Sequence, residues 1–389
     1  MYQRLIHPSK SKSFFLFGVR GSGKSTWLGQ FFEHERKQQK VLWFDLLNPE
    51  IERDLLLQPS RIFEQVSAQK GIEWIVIDEV QRVPKMLDIA HLGITKQGLK
   101  FALTGSSARK LRRGAANLLA GRALTFYLFP LTHRELGEDF RLSHALQYGT
   151  LPDSLSAPDE KECIRFLRSY SNTYLKEEIQ LEQLVRNMEP FHHFLSVAAQ
   201  MSGQPLNFSK LGREAGIDSK SVERYFQLLE DTLVGFFLPA YHHSIRKQQL
   251  QSRKFYFIDN GIRRALAQTV DIALRVSTYE YGNAFEHWLL GEIFKLNVNC
   301  ETDYRLSYLR TKDGAEIDLI LSKPGKPTCL LELKSKERCT SDDTRALHHF
   351  ISEFRGARAM LLCNERSPRK EGKVEVWPWR EGLQQLFAD

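Results

Sequence analysis

The feature that most restricts the fold of this chain is a glycine-rich loop placed between an apolar segment and a helical pattern. The apolar segment SFFLF covers Ser13–Phe17, and the loop GVRGSGKST follows it directly over Gly18–Thr26. The loop matches G-x-x-x-x-G-K-[ST] in the strand, loop and helix order that gives this motif its meaning. The sequence therefore predicts a unit in which a buried strand leads into a phosphate-binding loop.

Each residue type in this loop has a physical role in binding a nucleoside triphosphate. Glycines allow backbone N–H groups to surround phosphates at the N-terminus of a helix. Lys24 reaches the β- and γ-phosphates, and the Ser25 hydroxyl is a ligand for Mg²⁺. We therefore expect ATP and Mg²⁺ to bind here, with contacts from Gly18, Arg20, Gly21, Ser22, Gly23, Lys24, Ser25 and Thr26.

A second apolar segment, WIVIDE at Trp74–Glu79, ends in two acidic residues. Parallel strands that are covered on both faces have this continuous apolar pattern. Asp78 is predicted to hold Mg²⁺ through water, and Glu79 to polarise the attacking water as the catalytic base. The pair favours hydrolysis over nucleotide storage, and the alternative is a strand that merely ends in a polar turn.

Further strand-like segments alternate with helix-length segments, which is the pattern of a parallel α/β sheet. Ligands of such sheets bind beyond the carboxyl ends of the strands. Thr104 and Ser106, at the end of one of these segments, are therefore candidate sensors of the γ-phosphate, although TGSS is also a good turn sequence. The segments are Val41–Leu46, Lys100–Ser107 and Ala123–Leu131.

Together, the phosphate loop, WIVIDE, LTGSS and LLAGRALTFYLFPLT resemble AAA+ ATPases of the AAA_14 type, whose chains continue into a DUF4143 region. The resemblance covers nearly the whole chain and implies a homo-oligomer, a ring such as a hexamer. In such rings an arginine of one subunit touches the γ-phosphate of its neighbour. By this resemblance Arg122 is the first candidate for the catalytic arginine or a sensor, and Arg112 or Arg113 the second; a structural salt bridge is the alternative.

Composition limits the class of protein and its partners. The chain has 389 residues, 42% of them hydrophobic and 26% charged, which is typical of a globular protein of two or three domains. A formal charge of +8 favours acidic partners such as DNA. The five cysteines form no zinc-binding spacing, which favours a reducing cytoplasm, and no apolar run is long enough to enter a membrane. We expect domains over residues 1–135, 136–275 and 276–389.

The segment Leu206–Val234 has the pattern of a helix-turn-helix. One short helix should end at Gly216, and Asp218 is a suitable N-cap for the second, whose apolar stripe includes Leu233. The following GFFLPAY, a basic loop and KFYFIDNG are interpreted as the wing of a winged helix. The predicted DNA contacts are Lys220 and Arg224 on the second helix and Arg246, Lys247, Arg253 and Lys254 in the wing; protein contact is the alternative.

Two strand-like segments near the C-terminus, AEIDLILS and TCLLELKS, flank the turn-forming KPGKP. If Gly325 is the centre of the hairpin turn, Asp318 lies opposite Glu332, and Lys334 lies opposite Glu316. Directly opposed side chains have Cβ atoms about 4.5 to 5.5 Å apart on one face, so the two carboxylates could share a cation. A one-residue shift of the turn would break this pairing.

This hairpin follows the helical segment GNAFEHWLLGEIFK, and the combination resembles the PD-(D/E)xK nuclease fold. The resemblance implies that Asp318 and Glu332 are ligands of Mg²⁺ or Mn²⁺ and that Lys334 stabilises charge or orients water. It also implies that Glu286 is the helix acid that completes the metal site. The site either cleaves DNA or belongs to a nuclease-like platform that only binds it.

The predicted fold class is therefore α/β: an AAA+ P-loop parallel-sheet domain, then a helical and winged-helix domain, then an α/β PD-(D/E)xK-like domain. The predicted function is ATP hydrolysis by a DNA-stimulated motor or remodeller that acts on duplex or branched DNA. Two alternatives stay open, a metal-dependent DNA nuclease regulated by ATP and a nucleotide-driven protein-interaction switch.

Overall fold

The computed structural model describes residues 2–107, 119, 121–174, 188–242, 252–311 and 313–387. Near the N-terminus, apolar runs form strands and the segments between them form helices, as their patterns predict. The elements of this region are β1 (Ser13–Phe17), α1 (Lys24–Phe31), α2 (Glu33–Lys37), β2 (Val41–Asp45), α3 (Pro49–Leu57), α4 (Arg61–Ala68), β3 (Trp74–Asp78), α5 (Met86–Gln97), β4 (Lys100–Gly105) and β5 (Ala123–Tyr127).

The strands of this described region form one parallel sheet in the order β2-β3-β4-β1-β5. Alternate residues of β1 face opposite sides: Phe14 packs with Leu28 of α1, whereas Phe15 packs with Ile62 of α4. Strand β1 pairs with β4 on one side and β5 on the other, so the loop after β1 opens beside the carboxyl end of β4. The predicted parallel α/β sheet is confirmed, and this edge is where ligands of such sheets bind.

The middle of the described chain is helical. Its helices are α6 (His133–Leu136), α7 (Leu142–Tyr148), α8 (Pro152–Leu155), α9 (Glu160–Ser169), which continues into a π-helix (Tyr170–Tyr174), α10 (Met188–Gln200), α11 (Phe208–Ala215) and α12 (Ser219–Asp231). As predicted, Gly216 ends α11 and Asp218 caps α12, since its carboxylate accepts a hydrogen bond from Ser221 N at 3.0 Å.

The prediction that Leu233 lies on the helical stripe is wrong. Helix α12 ends at Asp231, and Leu233 has a left-handed φ of 60°. Val234 N donates to Leu229 O at 2.9 Å, a closure that is typical of helix C-termini. The helix therefore ends two residues before Leu233.

Two antiparallel strands and two helices follow α12: β6 (Gly235–Leu238), β7 (Lys254–Phe257), α13 (Asn260–Leu266) and α14 (Tyr279–Asn299). Helix α14 carries the buried stripe that the sequence predicts, with Phe285, Leu289 and Ile293 fully buried. None of the helices in the described part of the chain combines the length and apolar character needed to cross a bilayer.

A mixed sheet forms the C-terminal region, with strand order β12-β13-β11-β10-β9-β8 among the described residues. Its elements are β8 (Arg305–Arg310), β9 (Glu316–Ser322), β10 (Cys329–Leu333), α15 (Ser341–Phe350), β11 (Arg358–Cys363), β12 (Arg369–Glu371), β13 (Val374–Pro378) and α16 (Trp379–Leu386). The turn between β9 and β10 has Gly325 at φ 78°, and Leu331 pairs with Leu319. The predicted hairpin alignment is therefore confirmed for the three pairs from Cys329 with Leu321 to Leu331 with Leu319, where the pairing ends.

The β6–β7 pair is joined to this C-terminal sheet by backbone hydrogen bonds. Tyr308 N of β8 donates to Pro239 O at 3.0 Å, and Tyr241 N donates to Tyr308 O at 2.6 Å. A continuous hydrophobic core includes Phe129 after β5, Phe236 of β6 and Leu319 of β9. This core reaches all three predicted domains, whereas the two faces of the N-terminal sheet pack mainly in two further clusters. The domain boundaries stay a prediction.

Candidate functional site

The loop between β1 and α1 has the backbone geometry of a phosphate-binding loop. Gly23 caps α1 with a φ of 90°, which L side chains rarely adopt. A Cβ at Gly18 would lie 2.3 Å from Leu128 O, so only glycine allows the loop to pass this close to the strand end. Helix α1 begins at Lys24, and its N-terminal N–H groups therefore face the loop.

Lys24 extends back across the loop that it follows. Its Nζ donates to Gly18 O at 2.9 Å and lies 3.9 Å from Glu79 Oε1. Ser22 Oγ is buried without a hydrogen-bond partner among the described residues. A buried ammonium and an unsatisfied hydroxyl are groups that a bound phosphate would satisfy.

The acid pair at the end of β3 is organised by Thr104 of β4. The Thr104 hydroxyl donates to Asp78 Oδ1 and accepts a hydrogen bond from Glu79 N at 3.0 Å. Thr104 is fully buried and orients the two acids; that it senses the γ-phosphate stays a prediction. Glu79 has a left-handed φ of 61°, which turns its side chain back towards the loop.

Gln81 is a site residue that the sequence reasoning missed. Its Nε2 donates to Glu79 Oε2 and, at 3.1 Å, to Ser106 Oγ. Ser106 is buried in this contact, which gives it a positioning role; that it senses the γ-phosphate stays a prediction. A Cβ at Gly105 would lie 2.7 Å from Gln81 Oε1, so glycine makes room for this amide. The available signal was a glutamine shortly after the acid pair.

The phosphate loop is held by residues from both sides. Arg4 Nη1 donates to Ser22 O at 3.1 Å, while Arg4 Nε pairs with Glu135 of α6 at 2.9 Å. From the helical region, Tyr170 Oη donates to Arg20 O at 2.9 Å. The loop conformation therefore depends on the N-terminal segment and on the helices that follow the sheet.

Two adjacent cavities open at this loop. One, of about 300 Å³, is lined by Lys24, Ser25, Glu79 and Asp153 among others. The second, of about 330 Å³, is more apolar and is lined by groups that include Trp27, Leu131 and Leu155. Both cavities share Gly23, Thr26 and Pro152. The arrangement is suited to a ligand with a charged part and a flat apolar part.

Of the candidate catalytic arginines, the structure describes Arg122 alone. Arg122 is exposed at the start of β5, where its N–H donates to Leu119 O. Arg112 and Arg113 lie outside the described residues. Arg122 therefore does not lie in the nucleotide site of its own chain.

A second cluster of charged groups lies on the C-terminal sheet. Lys334 Nζ is 2.7 Å from Glu332 Oε2 and 3.4 Å from Asp318 Oδ2, so the ammonium bridges the two carboxylates. Both acids are buried. Burial and the neighbouring Asp318 raise the pKa of Glu332 well above its usual value. Burial opposes ionisation of Lys334, but the carboxylates outweigh it and raise its pKa.

Glu286 of α14 lies near the same carboxylates, as the sequence predicts. Tyr256 Oη of β7 donates to Glu286 Oε1 at 3.3 Å. Burial, together with the charge of Asp318, raises the pKa of Glu286 to about 7. The carboxylate oxygens of Glu286, Asp318 and Glu332 do not all lie within 4.8 Å of one another. Among the described residues, one group that contains cysteines does meet this distance.

The prediction that Lys334 faces Glu316 is wrong. The pairing of β10 with β9 ends at Leu331, whereas its bonding to β11 continues, with Lys334 N donating to Leu362 O at 3.0 Å. Leu333 N donates to Asp318 Oδ2 at 2.9 Å. Lys334 consequently turns towards Asp318 and Glu332, and Glu316 is left to other partners.

The partner of Glu316 is Lys254, which corrects a predicted DNA contact. Lys254 Nζ lies 2.5 Å from Glu316 Oε1 and 4.9 Å from the centre of the Tyr308 ring. The residue is only 3% exposed, so its ammonium cannot reach a DNA phosphate. Arg253 stacks at 3.7 Å on Phe237 and contacts Glu223, which leaves its guanidinium partly engaged.

The other predicted DNA contacts differ in position. Lys220 and Arg224 are exposed on α12, so both remain accessible to a partner. Arg246 and Lys247 lie outside the described residues. Lys254 therefore does not belong to the same exposed surface as Lys220 and Arg224 of α12.

A parallel sheet with a glycine-rich loop after β1 and an acid pair after β3 defines a P-loop nucleotide-binding domain. Residues 10–137 match the family model described as an AAA domain, and residues 281–381 match a domain of unknown function, DUF4143. These two segments therefore belong to the families that the motifs predict. Residues 139–272 match a further domain of unknown function, DUF8612, which the sequence reasoning did not predict.

Similar proteins share this organisation over most of their length. An uncharacterised protein of Mycobacterium tuberculosis is 24% identical over 366 residues, covering 93% of this chain and 79% of its own. An uncharacterised protein of Methanocaldococcus jannaschii is 24% identical over 422 residues, covering 97% and 85%. The structure of AMPPCP-bound DnaA from Aquifex aeolicus, 14% identical over 57% of this chain and 82% of that one, gives a TM-score of 0.29, too low to support an inference.

Proposed function

We propose that this protein hydrolyses ATP at the loop between β1 and α1 and couples hydrolysis to work on DNA. The observation that carries the ATPase proposal is the approach of Lys24 Nζ to within 3.9 Å of Glu79 Oε1, with Asp78 beside it. A phosphate-binding cation and a candidate base thus lie at one cavity. This is the arrangement that hydrolysis needs, because the nucleophilic water must be held in line with the γ-phosphate.

The residues present fit a nucleotide with its Mg²⁺. Ser25 and Asp78 would hold the cation, which when bound neutralises charge on the β- and γ-phosphates. Lys24 would exchange its contact with Gly18 O for phosphate oxygens, since both lie at the loop. Glu79 would accept the proton of the attacking water, and Gln81 would keep the carboxylate in place.

The nucleobase is assigned to the neighbouring apolar cavity. Trp27, Leu131 and Leu155 offer flat and aliphatic surfaces, and the cavity adjoins the phosphate cavity at Gly23 and Thr26. A purine ring would bury apolar surface there while its phosphates reach the loop. This placement favours a nucleoside triphosphate over inorganic phosphate or pyrophosphate as the ligand.

The ATPase proposal is tested by two substitutions with different expected effects. Lys24→Ala should weaken ATP binding and abolish hydrolysis, because it removes the phosphate-binding cation. Glu79→Gln should retain binding of a fluorescent ATP analogue and lower kcat by about 100-fold or more, the typical size of a lost general base. Glu33→Gln, at an exposed carboxylate of α2, is the matched control. Unchanged turnover in Glu79→Gln would overturn the assignment of the base.

We propose that the nucleotide site is completed when subunits assemble into a ring. Arg122 is exposed at the start of β5, so in an oligomer it could approach the phosphates of a neighbour. Arg122→Ala should bind ATP but not hydrolyse it, and mixing it with Lys24→Ala should restore part of the activity. In the mixture, intact loops of one variant can meet intact arginines of the other. No recovery on mixing, with oligomers present, would place the arginine elsewhere.

DNA is proposed as the partner on which the ATPase acts. The chain carries a formal charge of +8, and α12 exposes Lys220 and Arg224. DNA should stimulate ATP turnover, and single-stranded, duplex and four-way junction substrates would rank the preferred structure. Lys220→Glu with Arg224→Glu should lower the salt slope of binding by about 2, since each phosphate contact adds about 0.9.

The matched control for this pair is Arg53→Glu with Lys96→Glu, which makes the same charge change on exposed helix faces of the AAA domain. If both double variants weaken DNA binding equally, the effect reflects net charge and not a site on α12. If DNA neither binds nor changes turnover at low salt, while nucleotide changes the oligomer, the DNA proposal fails and a protein-interaction switch replaces it.

A second candidate function is metal-dependent cleavage of phosphodiesters by the cluster on β9 and β10. The observation that favours it is the position of the Lys334 ammonium between Asp318 and Glu332, where it balances charge as a divalent cation would. Glu286, Asp318 and Glu332 carry carboxylate oxygens of the kind that Mg²⁺ or Mn²⁺ binds, and side-chain movement would have to bring them together around one ion, since their ligand atoms do not all lie within 4.8 Å of one another. Mn²⁺-dependent cutting of DNA should disappear in Asp318→Ala while ATP turnover persists. Cutting that survives this substitution would exclude the cluster as its source.

A further inference from the structure

A separate group of metal-ligating side chains lies at the far end of the C-terminal sheet. Cys363 ends β11, Cys339 lies just before α15, and Glu365 follows the strand. One ligand atom from each of the three lies within 4.8 Å of the others. Two cysteines separated by more than twenty residues in the sequence give no zinc-binding spacing, so only the folded chain reveals this group.

We propose that Cys339, Cys363 and Glu365 bind a thiophilic divalent cation of the Zn²⁺ class. Sulfur and carboxylate ligands at this spacing suit a tetrahedral ion, because Zn–S and Zn–O bonds of about 2.3 and 2.0 to 2.2 Å bring ligand atoms within about 4 Å of each other. Cys363 is fully buried and Cys339 is 6% exposed. The site therefore needs little rearrangement to close around an ion.

The carboxylate is already oriented for such a role. Glu365 Oε1 accepts hydrogen bonds from Cys339 N at 2.8 Å and Arg369 Nη2 at 3.2 Å, and Oε2 accepts one from Arg369 Nε at 3.1 Å. A carboxylate has about four lone-pair positions, so one remains for a metal. Hydrogen bonds of this kind orient the ligands of metal sites in general.

Charge balance also favours a divalent ion. Two thiolates and one carboxylate carry three negative charges, and the Arg369 guanidinium is shared between Glu365 and Glu371. A divalent cation offsets two of these negative charges, which matters for groups that are largely removed from water. A monovalent ion would offset only one.

A fourth coordination position would face solvent. The cavity beside the cluster, of about 1170 Å³, is lined by Cys339 and Glu365 together with Thr340, Ser341 and Asn364. Three protein ligands and an open position distinguish sites that bind water or a ligand from closed structural sites. The cavity thus provides both the entry path and the place of the fourth ligand.

The full-length, reduced and chelator-treated protein is titrated with Co²⁺ alone as the probe. Thiolate coordination should produce charge-transfer absorption in the near ultraviolet at one equivalent, and Zn²⁺ should displace it. Cobalt at the nucleotide loop or at the Asp318 cluster gives no such absorption, because neither contains a thiol. Failure of the ATPase proposal would therefore leave this result unchanged.

Cys339→Ser and Cys363→Ser should each lose the absorption, and Glu365→Gln should weaken Co²⁺ binding by about 10-fold or more. Cys163→Ser and Cys329→Ser, at two other buried thiols, are the matched controls and should retain it. Far-ultraviolet circular dichroism of each variant checks folding. For the unaltered protein, Zn²⁺ should slow alkylation of Cys339 as read by mass spectrometry. Absence of thiolate absorption would overturn the proposal. It would also be overturned, in favour of a redox pair, if Zn²⁺ did not change the rate of alkylation while an oxidant readily formed a disulfide between the two thiols.

Discussion

At the scale of single residues, the acids at the end of β3 depend on neighbouring side chains for their position. Thr104 bonds to Asp78 and to the backbone of Glu79, and Gln81 joins Glu79 to Ser106. The two residues predicted to touch the γ-phosphate thus hold the acids that would act on it. A polar residue at a strand end can bind a ligand or orient a neighbour, and the sequence does not distinguish these roles.

Gln81→Ala should lower kcat for ATP hydrolysis by about 10- to 100-fold with little change in KM. The amide holds the Glu79 carboxylate at the loop, and small displacements of a catalytic group have effects of this size. Steady-state kinetics separates the two constants. Gln69→Ala, at an exposed glutamine of the same domain, should have no effect. A rise in KM of similar size would instead indicate a role in nucleotide binding.

Glu286 should make the protein less stable as pH rises. Burial and Asp318 raise its pKa to about 7 in the folded chain, against an ordinary value of 4.5 for a glutamate. The folded state therefore binds more protons than the unfolded state between these values, and the free energy of unfolding falls as pH rises through this window. Glu286→Gln, which keeps an acceptor for Tyr256, should reduce that fall in urea unfolding measured from pH 5 to 8. A variant with the same pH profile as the unaltered protein would contradict the assignment.

At the scale of elements, α14 connects the two candidate sites. Its N-terminal half carries Glu286, and its C-terminal half carries Glu292 and Lys295, which are buried against α6. Glu292 Oε1 accepts hydrogen bonds from His133 N at 2.5 Å and His133 Nδ1 at 2.7 Å, and Lys295 Nζ lies 2.9 Å from Glu292 Oε2. Helix α6 also carries Glu135, the partner of Arg4 at the phosphate loop.

Glu292→Gln should destabilise the protein by about 3 to 5 kcal/mol, because it leaves the Lys295 ammonium buried without its counter-charge. Burial raises the pKa of Glu292, but Lys295 and His133 outweigh it and lower the value to about 2. The stabilisation is thus present above pH 4.5 and is lost as pH falls towards about 2. Urea unfolding at pH 7 and at pH 3 measures both effects.

The double variant Glu292→Gln with Lys295→Met is the control for this buried pair. It removes both charges and should recover much of the stability, since replacing a buried ion pair by apolar groups is often neutral. It should also lose the additional acid sensitivity. A double variant as unstable as Glu292→Gln alone would show that packing, and not charge, accounts for the loss.

Local patterns predicted the elements whose determinants lie close together in sequence. Each strand of the N-terminal sheet is a short apolar run, and the turn at Gly325 fixed the β9–β10 alignment. Strand β11, the apolar run at Arg358–Cys363, was not predicted from the sequence. The burial of Lys254 depends on Glu316, 62 residues away, and a single sequence does not reveal such pairs.

At the scale of the whole molecule, one core links all three predicted domains. It includes Phe129 beyond β5, Phe226 of α12 and Leu362 of β11. The stacked rings of Phe236 and Phe294, with centroids 3.9 Å apart, lie between β6 and α14 within this core. Separating the packed domains would expose this apolar surface to water, at a cost of about 25 cal/mol per Å². The predicted domains are therefore expected to unfold together.

Nucleotide binding at the loop should consequently stabilise the C-terminal sheet as much as the N-terminal one. A ligand at about 100 times its Kd adds about 2.7 kcal/mol to any unit that unfolds with its site. Hydrogen-exchange mass spectrometry of the full chain across a urea series, with and without ADP and Mg²⁺, reports peptides of β3 and β9 separately. We expect equal shifts of the unfolding midpoint in both strands, and no shift in Lys24→Ala at the same ADP concentration. A shift confined to β3 would mean that the C-terminal sheet unfolds independently, despite the core that it shares with the AAA domain.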